Sequence, residues 1–251
     1  MFVLEKTFDI DELMLNNMHT HSVKSLCSKP EMVLTDMIKS AEEAGLKTLA
    51  ITDHSDPGSD IDVLANTLAY KEALKSIETP VRVLIGSELS AYGIGKFADD
   101  DELNAALDFR SYSQVHYHLE SWEQPEDRTP RGYAVDMLRS LEALFNAKRA
   151  DCVAHPFSPN KMKFFNPEEK NAVLAAITDN ELGDIMEKGE NSGCGWELHQ
   201  STICGYPEFA KRFFFTGKEV GVHFSVGTDA HRLSDISTAN FKEQLKLILK
   251  D

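Results

Sequence analysis

The feature that most limits what this chain can fold into is an alternation: from about residue 15 onward, apolar strand-like runs take turns with amphipathic helical ones. Seven runs read as strands: Leu15 to His19, Thr48 to Thr52, Val81 to Ser87, Tyr112 to His116, Asp151 to His155, Gly195 to Leu198 and His223 to Thr228. Strands that alternate with helices pair in parallel. Two helices are clearest. Over Lys29 to Ala44, Pro30 and Glu31 suit a first turn, Met32, Val33, Met37, Ile38 and Ala41 recur at helical spacing, and Gly45 ends the run; over Gly132 to Ala147 the inner stripe is Leu138, Leu141 and Leu144. No repeat, low-complexity stretch or linker divides the chain, so a single domain over residues 1–251 is expected. A closed barrel and an open doubly wound sheet both fit this order of elements.

The polar residues at the strand ends favour the barrel. The first strand gives His19 and His21 in MHTHS, the second Asp53 and His54 in ITDHS, the third Glu88 in IGSEL and the fourth His116 in SQVHY. The fifth gives His155 in VAHPF, the sixth Glu197 in WELHQ and the seventh Asp229 and His231 in GTDAH. In a parallel barrel all strand carboxyl ends share one face, so residues this far apart in sequence converge there. Side chains at i and i+2 of an extended chain point the same way, which makes His19 with His21, and Asp229 with His231, two-pronged ligands for one cavity. Glu88 has two oxygens with which to bridge cations, and imidazoles supply the remaining positions. One histidine at a strand end is usually structural; this many together point to bound divalent metal ions.

Composition narrows the partners. The chain carries 41 acidic against 26 basic residues, a formal charge of −15, which repels a phosphate backbone and makes long nucleic acid a poor partner. Cys27, Cys152, Cys194 and Cys204 form no CxxC pair and are too few to staple a chain of this size, so reduced thiols are expected. Glu5 and Lys6 interrupt the opening Met-Phe-Val-Leu, and no later apolar run approaches the roughly 20 residues of a membrane span, which reads as a cytoplasmic protein.

The series HTH, ITDH, GSE, VHY, AHP and GTDAH, in this order from about residue 17 to 232, resembles the motif series of the PHP (polymerase and histidinol phosphatase) family. That resemblance implies a distorted (β/α)7, TIM-like barrel carrying two to three divalent ions, zinc, manganese or iron. By motif it implies that His19, His21, Glu88 and Asp229 hold one ion, and Glu88, His116 and His155 a second. A third would lie among Cys27, His54 and His231. Cys27 departs from the family, which has histidine there; a thiolate binds zinc or iron, so the third site has an altered metal preference or is weak or empty, and a plain loop cysteine is the competing reading.

The implied reaction is hydrolysis of a small phosphate monoester, histidinol-phosphatase-like, by a metal-bridging hydroxide, with Asp53, His54, Glu88, Asp229 and His231 as the catalytic set. Asp53 and Glu197 are expected to orient ligand histidines. Arg232, Lys161 and Lys163 are candidates to clamp phosphate, and His118 and His199 to meet substrate. The stretch from Leu119 to Arg131 is expected to fold over the pocket. The alternatives are a phosphoesterase for nucleotides or oligonucleotide ends, a metal-dependent amidohydrolase, which would need a bridging lysine that is missing here, and a non-catalytic PHP module. Oligomeric state is not readable.

Overall fold

Parallel strands covered on both faces need apolar residues at nearly every position, and the central runs have them: Leu49, Ala50, Ile51, Leu84 and Ile85 are all buried. The computed structural model describes residues 3–250; residues 1–2 and 251 of the expected domain span lie outside the described residues. In chain order the elements are α1 (Ile10–Leu13), β1 (Asn16–Thr20), α2 (Leu34–Glu43), β2 (Thr48–Ser55), α3 (Val63–Leu74), β3 (Arg82–Gly93), β4 (Lys96–Phe97), α4 (Asp101–Ala106) and β5 (Phe109–Ser113). Then come α5 (Pro130–Ala147), β6 (Cys152–Val153), α6 (Pro167–Ala175), α7 (Asp179–Ser192), β7 (Gly195–His199), α8 (Gln200–Gly205), α9 (Pro207–Val220), β8 (Phe224–Gly227) and α10 (Ala239–Ile248).

Seven strands run parallel in the order β1-β2-β3-β5-β6-β7-β8, and β4 is a short antiparallel return on β3. The sheet curls until its edges meet. Thr20 bridges Ala230 in parallel, the His21 N–H donates to the Ala230 carbonyl at 2.9 Å, and the Asp229 N–H donates to the His19 carbonyl at 3.0 Å. The closed alternative is therefore the one realised, a TIM-like α/β barrel, and its seam is made by backbone of the HTH and TDAH motifs. Inside, Met18, Ala50, Leu84, Phe109 and Cys152, one from each of five neighbouring strands, form a plug against which Val3 and Leu4 pack.

Helix ends follow local chemistry. The Thr129 hydroxyl caps α5 by accepting from the Gly132 N–H at 3.2 Å, Pro130 occupies its first turn, and a Thr178–Glu181 capping box opens α7. Such caps are each worth about 1 kcal/mol. On α5 the inner stripe is Tyr133, Met137, Leu141 and Leu144, with Leu138 only partly buried, because Met137 takes the position facing the sheet.

Three boundaries differ from the sequence-based expectation in ways that matter for function. α2 starts at Leu34, not Lys29. Residues 29–32 turn instead: the Lys29 N–H bonds the His231 carbonyl at 2.9 Å, and the Val23 N–H bonds the Met32 carbonyl at 2.7 Å. β5 and β6 also stop early, so His116 and His155 stand on loops just past their strands. Among the described residues no helix is long and apolar enough to cross a membrane, and all four cysteines are free.

Candidate metal centre

At the carboxyl ends of the strands, Glu88 rises from β3, 1% exposed, and its two oxygens face different partners. Oε2 lies 3.0 Å from His54 Nδ1, 3.3 Å from His19 Nε2 and 3.5 Å from His21 Nε2; Oε1 lies 2.7 Å from His155 Nε2 and 3.4 Å from His116 Nε2. Asp229 Oδ1 closes the first group, 2.8 Å from His21 Nε2 and 3.6 Å from His19 Nε2. Neighbouring ligands of a tetrahedral ion with bonds of about 2.1 Å stand about 3.4 Å apart. The spacings found fit that ion.

Two clusters sharing Glu88 thus have ligand-like geometry: His19, His21, Glu88 and Asp229, and Glu88, His116 and His155. A bulge helps to build the first. β1 pairs Asn17 with Leu49 but Thr20 with Ile51, one residue more than β2 over the same span, and such an insertion re-aims side chains. Asp229 and His155 hold backbone of positive φ, 54° and 29°, tied by the bond from the Asp229 N–H to His19 and by one from the His155 N–H to Glu197 Oε2. Non-glycine residues held this way cost about 1–3 kcal/mol, a strain that clusters at functional sites.

The rings are oriented from behind. His19 Nδ1 meets Glu197 Oε1 at 2.9 Å, so its proton sits there and the Nε2 lone pair faces the cluster. That approach requires Gly227, where a Cβ would stand 1.7 Å from Glu197 Oε1 and 2.6 Å from His19 Cβ. Asp53 works differently from expectation: its carboxylate touches no ligand imidazole. It accepts from the Ser22 N–H (2.7 Å), the Ser22 hydroxyl (2.6 Å) and the Ser25 hydroxyl (2.8 Å), while Tyr70 Oη lies 2.7 Å from Ser22 Oγ. Because the Ser25 proton is committed to Asp53, Ser25 Oγ, 3.4 Å from His21 Nδ1, can only accept from that ring. His21 Nε2 is again left with its lone pair. Sequence reasoning missed Ser22, Ser25 and Tyr70; the two serines following HTH in HTHSVKS were the available signal.

The consequence is an electrostatic conflict that suits a cation. His19 Nε2 and His21 Nε2 stand 3.1 Å apart, both against carboxylate oxygens, and the buried His116 Nε2 and His155 Nδ1 have no hydrogen-bond partner among the described residues. Burial pushes Glu88 and Asp229 up, but the imidazoles around them, led by His54 and His19 respectively, hold both carboxyls well below the usual range. Burial pushes the His116 and His155 imidazoles down, and His21 to about 3. His19 is the exception: burial lowers it, yet Glu197, Glu88 and Asp229 drive it well above normal.

Above this lies a mouth of about 290 Å³ lined by Leu26, Cys27, His54, Asp56, Ser59, Ile61, His116, His118, Leu119, Lys161 and His231. Cys27 Sγ is 3.1 Å from His231 Nε2, and His21, His54 and His231 form a third group with ligand spacing. Burial pushes the Cys27 thiol up, but hydrogen bonding to His231 and His54 outweighs it and brings the thiol to about 6. Arg232 is not in the mouth; its side chain is 59% exposed and pairs with Asp235 at 3.3 Å. Lys163 is exposed. His199 lies deeper, with Nε2 3.8 Å from Asp229 Oδ2, and His223 pairs with Glu190 at 3.1 Å. Of the segment 119–131, Leu119 lines the mouth and Trp122 packs on the His116 ring, whereas Glu123 to Arg128 line a separate groove against α5.

With this geometry established, comparison with known proteins identifies the lineage. The PHP domain family's profile matches residues 17–187, well over half of the sequence. The chain belongs to the PHP domain family. This PHP chain is 26% identical over 242 residues to a probable phosphatase of Thermoanaerobacter sp., covering 92% of this chain and 83% of that one. It is 27% identical over 240 residues to a probable phosphatase of Caldanaerobacter subterraneus subsp. tengcongensis, covering 92% and 80%. Its fold is similar to that of the Lactococcus lactis histidinol phosphate phosphatase solved with zinc, L-histidinol and phosphate (TM-score 0.62, 17% identity, 93% of each chain).

Proposed function

We propose that this PHP chain is a metal-dependent phosphoesterase that hydrolyses a small phosphate monoester, in the manner of a histidinol phosphatase. The observation that carries the reading is the Glu88 carboxylate, whose two oxygens serve two separate imidazole clusters at 2.7–3.5 Å. His19, His21, Glu88 and Asp229 would hold one ion, and Glu88, His116 and His155 a second; His54 and His231, with Cys27, would hold a third at the mouth. Zinc, manganese or iron suits this donor set. When bound, such ions lower the pKa of water to supply a nucleophile and clamp the phosphoryl oxygens as charge shifts.

The chain's own residues supply the rest. Glu197 and Ser25 fix the tautomers that keep His19 and His21 turned toward the ions. Lys161, on the rim, meets the phosphate, with His118 beside it, and Leu26, Ile61 and Leu119 receive the organic part of the substrate. A mouth of about 290 Å³ is at the small end for a ligand pocket, which favours a small ester over a polymer. The charge of −15 argues the same way, and the free thiols suit a cytoplasmic, single-domain enzyme. Glu88 stands where an amidohydrolase would need its bridging lysine, which disfavours amide chemistry.

The test is phosphate release by chain stripped of metal and then reloaded with Zn²⁺, Mn²⁺ or Fe²⁺. Histidinol phosphate, a 3′,5′-bisphosphorylated nucleoside, short oligonucleotides and amides form the substrate panel. Fastest turnover of histidinol phosphate or another small monoester supports the reading. Preference for oligonucleotides, faster amide turnover, or no turnover by fully loaded chain overturns it.

A further inference from the structure

His199, the last residue of β7, is 4% exposed, and its two ring nitrogens meet opposite kinds of neighbour. Nδ1 lies 3.1 Å from the Ser201 hydroxyl and 3.3 Å from the Thr202 hydroxyl. Among the described residues Nε2 has no hydrogen-bond partner; it stands 3.8 Å from Asp229 Oδ2, with the ring centroid 5.2 Å from that of His155 and 6.1 Å from that of His19.

The hydroxyls around Nδ1 favour one tautomer of the ring. Thr202 is buried, and among the described residues its hydroxyl has His199 Nδ1 as its hydrogen-bond partner, so the hydroxyl hydrogen points there. Ser201 Oγ accepts from the Asn160 amide at 3.2 Å, and its own hydrogen is an alternative to that of Thr202 for the one lone pair of Nδ1. Asn160 is in turn oriented by Tyr206, whose hydroxyl donates to its Oδ1 at 3.0 Å. Nδ1 therefore accepts, and Nε2 bears the hydrogen.

This is the reverse of His19 and His21, whose Nδ1 atoms donate backward and whose Nε2 lone pairs face the ions. A nitrogen that carries hydrogen has no lone pair for a cation. It is a donor, buried without an acceptor, and such a group is costly unless something arrives to accept from it. The Nε2 to Asp229 separation is too long for a direct bond, so the hydrogen is free for an oxygen seated beside that carboxylate.

We propose that His199 is a catalytic hydrogen-bond donor, locked in its Nε2–H tautomer by Thr202, Ser201, Asn160 and Tyr206, that holds a phosphoryl oxygen of the substrate between the two deep clusters. It gives up no proton; it stabilises charge as that oxygen becomes more negative. The proposal rests on the phosphoesterase reading above.

The experiment compares wild type with His199→Leu, His199→Gln and Thr202→Val. Metal content, kcat and KM on the best small monoester, and inhibition by orthovanadate against inorganic phosphate are measured for each. Long-range ¹H–¹⁵N correlation of His199 reads the tautomer. The expected result is a protonated Nε2, unchanged metal content throughout, and about a hundredfold lower kcat for His199→Leu. Vanadate binding should weaken more than KM changes, His199→Gln should recover most of the rate because its amide keeps a donor, and Thr202→Val should fall between. Loss of an ion in His199→Leu would make the residue a ligand and overturn the proposal. So would equal rates for the Leu and Gln variants, or a hydrogen found on Nδ1. A fully loaded wild type inactive on every monoester sinks the phosphoesterase reading and this proposal together, whereas an active wild type with an unimpaired His199→Leu sinks this proposal alone.

Discussion

The deep clusters and the mouth cluster use the same imidazole chemistry on different foundations. In the deep pair, His19, His21, Glu88, His116 and His155 are at most 3% exposed and the Asp229 side chain 16%, and the backbone behind them belongs to strands, to the seam that closes the barrel or, for His116 and His155, to loops just past their strands. At the mouth, the His54 and His231 side chains are 21% and 30% exposed, and Cys27 sits on an exposed loop held by Ser22, Ser25 and the Lys29 bond to His231. The contrast teaches that ligand identity and ligand rigidity are separate properties. Buried, closely packed ligands bind tightly because little order is lost on binding, whereas ligands open to solvent let an ion exchange.

The largest effect that could break this contrast is at its hinge. Glu88→Gln removes the charge shared by both deep groups and leaves buried imidazoles facing one another. We expect kcat to fall by about a thousandfold and the metal content of both deep positions to drop, measured by elemental analysis after dialysis. A variant that kept its full metal complement would separate the two clusters and end the idea of a shared bridge. Next in size is Gly227→Ala, which binds no metal itself. Its Cβ would displace Glu197 from His19, and a loss of roughly 10- to 100-fold in metal affinity is expected, with the mouth ion affected least. Equal loss at deep and mouth positions would mean general unfolding, which the thermal midpoint checks.

Proton competition sharpens the contrast further. In the metal-free chain burial lowers the His54 and His231 imidazoles, but Glu88 at His54, and Cys27 at both, outweigh it and raise them above normal, and the carboxylates around His19 do the same there, whereas burial lowers His116, His155 and His21. A raised group is protonated at higher pH, and a protonated ring cannot bind metal. As pH falls from about 8 to about 5, the mouth ion and the deep ion that His19 helps to hold should therefore leave before the one at Glu88, His116 and His155, giving two resolved steps in a titration followed by metal release. Simultaneous release, or loss of the ion at Glu88, His116 and His155 first, would reverse the ranking.

How much of this was legible in the sequence divides along the same line. The strand-borne motifs announce themselves because HTH, TDH and TDAH put polar residues where apolar strands end, and convergence follows from parallel topology. Backbone devices do not announce themselves. The bulge that re-aims β1, the positive φ at His155 and Asp229, and the early ends of β5 and β6 arise from tertiary pairing that no local spacing encodes. Asp53 shows the limit best. Its place after the second strand was readable, but whether it would meet an imidazole or a pair of serines depended on how a loop 28 to 31 residues earlier folds back onto it. Arg232 failed for a related reason: adjacency to His231 in sequence says nothing about direction once the chain turns away, and its guanidinium faces Asp235.

The smallest effect tests the mouth by itself. Cys27 stands within 3.1 Å of His231 but contacts neither Asp229 nor Glu88 in any hydrogen bond or ion pair among the described residues. Cys27→Ala should leave the deep metal content unchanged and lower kcat by no more than about tenfold, while Cys27→His should shift preference at the mouth from zinc toward manganese, since an imidazole is the harder ligand. Cobalt substitution gives the direct readout: a sulfur-to-cobalt charge-transfer band in wild type that both variants lack. If the band is absent from wild type, Cys27 is a bystander and the mouth depends on its histidines alone. If instead Cys27→Ala empties the deep positions, the two regions are one cooperative cluster, and the difference in exposure between them has no energetic meaning.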